Sequence, residues 1–261
     1  MTESYTKIKF GRIAQTVCRW FIGIVFLFSG FVKAVYQIGT NYKICDYLEA
    51  FGLPELSVLA LPAAFAMIMV EFTIGFNMIF SLKLKVTAIV TALFMAVMTP
   101  LTLYLAVANP VSDCGCFGDA IVISNWQTFW KNIIIDFFLI LLFFTLKYNR
   151  PRLTDAGQWI CMLLPLLTCL GLELYCYRHL PIIDFRPYKV GNNIEELMAI
   201  PDDAPVDKYN TTFVYSKDGV EKEFSLSDAP FEDSTWVFVR QNTELRERGY
   251  VPPIHDFSIG I

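Results

Sequence analysis

The sequence predicts an all-α polytopic membrane protein with five transmembrane helices and a small β-containing tail. Two observations support this prediction. Hydrophobic residues make up 55% of the 261-residue chain, which includes 23 Phe, and this composition is too apolar for an ordinary soluble domain of its size. Long apolar runs account for most of this composition, whereas the chain beyond Pro181 is polar.

Each of the five apolar runs is long enough to cross roughly 30 Å of hydrocarbon as a helix. The first run ends at Tyr36, and the others cover residues 56–80, 86–108, 128–146 and 156–177. A cleaved signal peptide is the alternative interpretation of the first run. That run is long for a signal peptide and no A-x-A-like cleavage site follows it, so an uncleaved membrane anchor is favoured.

The basic residues of the short connections predict the orientation. They concentrate in the N-terminal segment and in the turns at 81–85 and 147–152, whereas the connections at 37–55 and 109–127 carry only Lys43. Lys and Arg are enriched in cytoplasmic loops. We therefore predict a multi-pass protein of the bacterial inner (cytoplasmic) membrane, with its N-terminus in the cytoplasm and its C-terminal tail outside.

Charge is distributed unevenly along the chain. Residues 181–261 contain 15 acidic and 8 basic residues, which gives a net charge of −7, and the first 180 residues contain 10 acidic and 13 basic residues, which gives +3. Neither part has a basic cluster interleaved with aromatic residues, and this excludes nucleic acid as a partner. The composition instead predicts the lipid bilayer as a partner.

Two cysteines in the outer 109–127 loop are the candidate redox site. Cys114 and Cys116 are separated only by Gly115, and a disulfide across such a short ring is strained and therefore easily reduced. One alternative is a purely structural disulfide, for example between one of these two cysteines and Cys45. A metal site is a second alternative, but no further Cys pair or His lies nearby to complete four ligands, so no metal site is predicted.

The other cysteines divide according to the predicted topology. Cys18, Cys161 and Cys169 lie within predicted spans, where a thiol is usually a small apolar packing group. Cys45 and Cys176 lie on the outer side, where disulfides persist. Cys45 is therefore the candidate third thiol of the redox site.

Four of the charged residues within the apolar runs are candidate site residues, because an ionisable side chain there is costly unless it is paired or hydrated. They are Lys33, Glu71, Asp136 and Glu173. At a rise of 1.5 Å per residue, Glu71 is expected roughly 20 Å below the outer end of its helix, and Lys33 close to the outer surface. Lys33 is therefore expected to pair with Asp136 or Glu173 beneath the dithiol. Such a cluster can stabilise a thiolate and guide protons, or it can simply lock the helices together.

Two further segments have informative local patterns. Apolar residues at helical spacing within 37–55 predict an interfacial helix that can cover the dithiol. In the tail, Thr211–Tyr215 and Val220–Leu226 flank a turn and predict a β-hairpin, with Thr235–Val239 as a candidate third strand.

Three motifs resemble the methylamine-utilisation MauE family, which belongs to the wider group of DoxX-like membrane proteins. They are Phe28-Ser29-Gly30-Phe31-Val32-Lys33, Glu71-x3-Gly75 and Asp113-Cys114-Gly115-Cys116-Phe117-Gly118. The resemblance covers about residues 10–148 and implies a four-helix membrane bundle. The expected organisation is then a cytoplasmic N-terminus (1–15), the bundle (16–148), a linker and fifth transmembrane helix (149–180), and an acidic extracytoplasmic tail (181–261).

The resemblance also implies a part in forming or maintaining disulfides in exported proteins. We predict a membrane thiol–disulfide redox protein in which Cys114 and Cys116 exchange electrons with exported or periplasmic thiol proteins, including thioredoxin-like ones. Related bundles of the vitamin K epoxide reductase type pass electrons to a quinone, which makes a quinone the candidate acceptor. Two alternatives stay open: a non-enzymatic scaffold with a structural disulfide, and a small-molecule or metal transporter with a path through Lys33, Glu71 and Asp136.

Overall fold

The structure is a computed structural model that describes residues 2–111, 113–151, 153–217, 219–226, 228–230, 233, 235–247 and 249–254. The chain forms two compact units, Met1–Arg186 and Pro187–Ile261, which are described separately. Residue 218, at the predicted hairpin turn, lies outside the described residues.

The first unit is helical throughout its described secondary structure. Its α-helices are α1 (Thr2–Val35), α2 (Gln37–Ala50), α3 (Ala60–Phe80), α4 (Leu84–Ala108), α5 (Asn125–Thr145) and α6 (Asp155–Arg178). Short 3-10 turns over Pro54–Leu59 and Leu146–Tyr148 extend α3 and α5. Within the described residues, five helical segments are long and apolar enough to cross a membrane: Ile8–Val35, Pro54–Phe80, Leu84–Ala108, Asn125–Tyr148 and Asp155–Arg178. The protein is therefore a multi-pass membrane protein.

Four of these helices form a closed bundle. Helix α1 packs against α3 and α5, and α4 completes the ring by packing against the same two helices. Helix α6 lies outside the ring, against α3 and α1. The contact between α1 and α3 is close because it uses small residues. A Cβ atom added to Gly75 would lie 2.2 Å from the backbone nitrogen of Leu27, and one added to Gly30 would lie 2.6 Å from that of Phe72.

One half of the bundle is filled with apolar side chains, and we call it the packed half. Its buried core consists of Cys18, Ile22, Phe26, Ile74, Met78, Leu84, Ala88, Met95, Ile135, Leu139 and Leu142. At its edge, the guanidinium of Arg19 donates to the carbonyl oxygens of Met78 and Ile79 at the C-terminal end of α3. A cation is favourable at this end of a helix because the last carbonyl groups have no partner within the helix.

Helix α5 begins with a capping box. The hydroxyl of Ser124 accepts a hydrogen bond from the backbone N–H of Gln127, whose side chain accepts one from the backbone N–H of Ser124. This pair satisfies two otherwise free N–H groups and fixes where the 109–124 connection ends. The dithiol loop is therefore anchored directly to a transmembrane helix.

The second unit contains a short helix, α7 (Ile194–Met198), and a three-stranded antiparallel sheet of order β2-β1-β3. The strands are β1 (Lys208–Lys217), β2 (Val220–Ser225) and β3 (Val237–Glu247). Tyr215 makes edge-to-face contacts with Phe224 and Phe238 on the neighbouring strands. The predicted fold class is confirmed, because the chain is mostly helical, with five candidate spans and a small sheet towards its C-terminal end.

Candidate functional site

The dithiol loop turns on two glycines with left-handed backbone conformations. Gly115 has a backbone φ of 63° and Gly118 a backbone φ of 52°. Residues that carry a Cβ atom adopt such positive values only with strain. The N–H of Gly118 donates to the carbonyl of Gly115 over 3.0 Å, which closes the turn. The turn brings the sulfur atoms of Cys114 and Cys116 within 3.4 Å of each other as free thiols. A disulfide is about 2.0 Å long, so the sulfurs need only a small approach to bond.

Helix α2 holds this loop from one side. The ammonium of Lys43 lies 2.8 Å from a carboxylate oxygen of Asp113, and the hydroxyl of Tyr47 donates to the carbonyl oxygen of Cys114 over 2.6 Å. The stem of Lys43 also lies so close to Gly115 that a Cβ atom there would be 2.9 Å from its Cγ. A helix was predicted within 37–55, and α2 is that helix. The residues of α2 that line the cavity next to the dithiol follow helical spacing: Thr40, Lys43, Ile44 and Tyr47.

On the other side, Lys33 pairs with Glu71, and the predicted pairing of Lys33 with Asp136 or Glu173 is wrong. The Nζ atom of Lys33 lies 2.8 Å from Oε1 and 2.9 Å from Oε2 of Glu71, and both side chains are buried. The depth argument failed because it assumed that both apolar runs end at the same level. Gly30 instead lies against Phe72, so the C-terminal turn of α1 is level with the middle of α3.

Ser29 joins this ion pair to the dithiol loop. Its hydroxyl oxygen lies 2.7 Å from Oε2 of Glu71 and 2.7 Å from the carbonyl oxygen of Cys116. A hydroxyl has one proton, so Ser29 donates to one of these acceptors at a time. The backbone of Cys116 is therefore held from α1, as that of Cys114 is held from α2.

A cavity of about 180 Å³ lies beneath the dithiol, inside the first unit. Its polar end carries the two cysteines together with Lys33, Lys43, Lys131 and Glu71. Its apolar walls come from α1, α3, α4 and α5 and include Met67, Phe94 and Met98, together with Phe26, Met95 and Ile135 at the border with the packed half. The bundle thus has a second half that is hollow and charged at one end, which we call the site half.

The two thiols differ in acidity. The pKa of Cys116 is lowered to about 6 despite burial, chiefly because the Cys114 thiol donates a hydrogen bond to its sulfur and then because Lys131 and Lys33 place positive charge nearby. The pKa of Cys114 is raised because that hydrogen bond retains its proton and because the thiol is buried. The pKa of Tyr47 is raised by burial and by the charge of Cys114. The lowered pKa favours the thiolate form of Cys116, which is the nucleophilic form.

The comparison with known families supplies the identity of this bundle. The family model described as Methylamine utilisation protein MauE matches residues 11–148, which is more than half of the chain. The chain belongs to the MauE family. The matched region contains α3, α4, α5, most of α1 and the dithiol loop of this MauE-family protein.

The other comparisons give weaker matches or match shorter parts of the chain than the MauE model does. Protein TlpB of Flavobacterium psychrophilum is 25% identical over 151 residues, which cover 56% of this MauE-family chain and 40% of TlpB. The chain therefore matches less than half the length of that curated relative. A domain of unknown function (DUF8463) matches residues 209–248, which contain most of the three-stranded sheet. No solved structure matches the chain.

Three predicted site residues lie elsewhere in the MauE-family protein. Cys45 is on α2 but is not among the residues that line the cavity. Asp136 accepts a hydrogen bond from Thr99 over 2.8 Å in a separate apolar groove between α4 and α5. Glu173, on α6, is fully buried, and neither of its carboxylate oxygens has a hydrogen-bond partner among the residues described.

Sequence reasoning missed Lys131, although it lies three residues inside the predicted 128–146 span. Its ammonium lies 4.9 Å from the ring centroid of Phe117, the residue after Cys116. The helical spacing of α2 was the signal that could have identified Lys43 and Tyr47. In the part of the chain that the structure describes, no group of three or more His, Cys, Asp or Glu residues is placed to hold a metal.

Proposed function

We propose that this MauE-family protein is a membrane thiol–disulfide redox protein. In this proposal the Cys114/Cys116 pair exchanges electrons with exported thiol proteins, including thioredoxin-like ones. The observation that carries the proposal is the arrangement of two thiols 3.4 Å apart with opposite pKa shifts, half-buried above a membrane cavity. Strongly perturbed thiols of this kind are typical of reactive rather than packing cysteines.

The exchange follows from the difference in acidity. The Cys116 thiolate attacks one sulfur of a partner disulfide, forming a mixed disulfide and releasing the other partner sulfur as a thiolate. Cys114 then loses its proton, attacks Cys116 and displaces the second partner sulfur. The pair ends as a disulfide, and the partner has gained two electrons. The reverse sequence oxidises a partner dithiol.

The contacts around the loop suit a two-step exchange. Tyr47 and Ser29 hold the backbone carbonyl groups of Cys114 and Cys116 from opposite sides, and Lys43 holds the neighbouring Asp113. The sulfur atoms are therefore positioned by a fixed backbone and need little movement of their own. Such preorganisation lowers the barrier of a step that requires exact geometry between three sulfur atoms.

The quinone that the family resemblance implies fits the chemistry of the cavity. The apolar walls suit a hydrophobic ring, and the ammonium groups of Lys33 and Lys131 at the polar end would be donors to the carbonyl oxygens of a quinone. A bound quinone would supply a two-electron acceptor. The residues of this chain would orient it beneath the dithiol and exclude water from its apolar side.

We further propose that the dithiol faces the outside of the bacterial inner membrane and that the acidic tail lies on the same side. The support is the excess of Lys and Arg in the connections on the opposite side. The transporter alternative finds less support, because Asp136 lies in a groove separate from the cavity that holds Lys33 and Glu71.

Thiol trapping in intact cells tests this proposal. Free thiols are blocked with a membrane-impermeant maleimide, the remaining disulfides are reduced and labelled with a second reagent, and Cys114 and Cys116 are quantified by mass spectrometry. We expect a mixture of oxidised and reduced pairs that shifts when reductant is added. A pair that stays fully oxidised after reductant is added would contradict redox exchange and favour the scaffold alternative. A pair that the maleimide cannot reach would contradict the outward orientation. Cys161, assigned to the packing of α6, is the internal control that the impermeant maleimide should not label.

A further inference from the structure

We infer that Lys131 is a positioning residue that acts as the counter-charge of Cys116 and thereby sets how oxidising the pair is. This inference rests on the proposed exchange function and adds a residue to it. Lys131 contributes no covalent step. It acts by holding negative charge on one chosen sulfur atom.

The charges around the cavity lead to this inference. Three lysines line the polar end, and two of them are balanced: Lys33 by Glu71 and Lys43 by Asp113. For Lys131, no carboxylate partner occurs among the described residues. A cation in a transmembrane helix is costly without a counter-charge, and such residues mark functional sites by default. The uncharged form of the dithiol would leave this positive charge unbalanced.

The position of Lys131 favours Cys116 as that counter-charge. Lys131 lies in the second turn of α5, whose start is fixed by the capping box at Ser124. Its ammonium sits over the ring of Phe117, and that ring is itself held by Phe28 with 5.6 Å between ring centroids. The cation is therefore held next to the residue that follows Cys116.

The other charged and titratable groups near Cys116 do not replace Lys131. They are Lys33 on α1, Lys43 and Tyr47 on α2, Glu71 on α3, and Asp113 and Cys114 in the loop. The cavity-lining residues of α4 carry no charge. Lys33 and Glu71 nearly cancel because they are in direct contact, and so do Lys43 and Asp113. The net field at the sulfur therefore comes mainly from Lys131.

This field has a redox consequence. Reduction of the Cys114–Cys116 disulfide by two electrons and one proton gives the Cys116 thiolate and the Cys114 thiol. Lys131 stabilises that product but has no anion to stabilise in the disulfide. A pair whose reduced form is stabilised is a stronger oxidant. Removal of the cation should therefore make the pair a weaker oxidant and a weaker acid at once.

The test uses the full-length protein in lipid nanodiscs and compares Lys131→Met, Lys131→Arg and Lys147→Met with the unaltered chain. Lys147 is the matched control, because it follows the same helix but lies over Tyr148, away from the cavity. The first readout is the rate at which iodoacetamide alkylates reduced Cys116 as a function of pH, followed by mass spectrometry. The second is the equilibrium of the dithiol with a glutathione buffer at pH 8.

We expect Lys131→Met to raise the alkylation midpoint from about 6 by at least one pH unit, which lowers the rate at pH 6 about fivefold. The glutathione equilibrium should shift about tenfold towards the disulfide, which corresponds to about 30 mV. Lys131→Arg and Lys147→Met should leave both values unchanged. Rescue by arginine separates a charge effect from a packing effect.

An unchanged midpoint in Lys131→Met would overturn the inference, and so would an equal shift in Lys147→Met. If Lys131→Met does not fold, a Lys131→Arg protein whose midpoint differs from that of the unaltered chain by more than one unit would overturn it as well. Neither readout requires a protein partner. If Lys131→Met raises the alkylation midpoint as expected but the unaltered protein shows no thiol exchange in cells, the role of Lys131 is supported and the proposed function is rejected. The two failures can therefore be distinguished.

Discussion

The two halves of the four-helix bundle are built from the same helices but differ in what fills them. In the packed half, side chains such as Ile22, Met78 and Leu142 have no exposed surface and fill the space between the helices. In the site half, the same helices surround a cavity of about 180 Å³ with three lysines and two thiols at one end. Cavities and buried charges lower stability. The comparison indicates that the packed half stabilises the bundle, whereas the site half retains a cavity and charged groups that lower stability but suit a reactive site.

A cysteine in each half makes the difference specific. Cys18 lies in the packed half, 2% exposed and surrounded by apolar side chains. Cys116 lies in the site half beside Cys114, Lys131 and a hydrogen-bonding serine. The residue type is the same, so reactivity depends on the charges and donors around the sulfur. The following predictions test this difference between the two halves through effects on exchange and on stability. They are given from the largest expected effect to the smallest.

Substitution of Cys116 by Ser should abolish thiol exchange and change stability little. The attacking sulfur is lost, but serine has nearly the same volume and the backbone contact to Ser29 remains. Exchange is measured by the redox state of exported thiol proteins in cells, and stability by the apparent melting temperature in nanodiscs. Cys18→Ala is the matched control, with the opposite expected result: normal exchange and a loss of about 1 kcal/mol from the removed buried group. Equal behaviour of the two variants would contradict the division into halves.

Substitution of Glu71 by Gln should destabilise the protein by about 3–5 kcal/mol, because it leaves Lys33 buried without its carboxylate. The double variant Lys33→Met with Glu71→Met should recover most of this loss, since it removes both charges. The apparent melting temperature of each variant in nanodiscs checks this prediction. A double variant as unstable as Glu71→Gln would mean that the ion pair itself, rather than the unpaired charge, determines the stability.

Substitution of Gly30 by Ala should cost about 1–3 kcal/mol, because the added Cβ atom would lie 2.6 Å from the backbone of α3 and force the helices apart. The Lys33 and Glu71 side chains lie close to this contact, so exchange should also slow. Gly171, whose added Cβ would meet no atom within 4 Å, offers the matched control, and Gly171→Ala should be neutral or slightly stabilising. Melting temperatures that fall equally in both variants would argue against a close contact between α1 and α3.

Substitution of Cys45 by Ser should have the smallest effect, with normal exchange and a change in stability below about 0.5 kcal/mol. Cys45 is on the helix that covers the dithiol, but it is not among the residues that line the cavity. The redox state of Cys114 and Cys116 in cells provides the measurement. If this pair became locked in one state, Cys45 would be the third thiol after all.

The sequence allowed the spans to be predicted within a few residues, because membrane-length apolar runs are the strongest signal in the chain. The pairing of Lys33 was predicted wrongly, because depth within a run does not determine the level at which two helices meet. That level is set by the contacts of Gly30 and Gly75, which depend on three-dimensional packing. Strand β3 extends to Glu247, well past the predicted Val239, because its second half is polar and lacks the β-branched and aromatic pattern of a buried strand.

The proposed exchange through Cys116 is tested most directly by trapping its mixed disulfide in intact cells. Cys114→Ala removes the resolving thiol but keeps the backbone carbonyl that Tyr47 holds, so an adduct formed at Cys116 should persist. We predict reducible adducts joined to Cys116 in Cys114→Ala and none in Cys116→Ala, with the linked peptide identified by mass spectrometry. Adducts of equal amount in both variants, or none in either, would contradict the account.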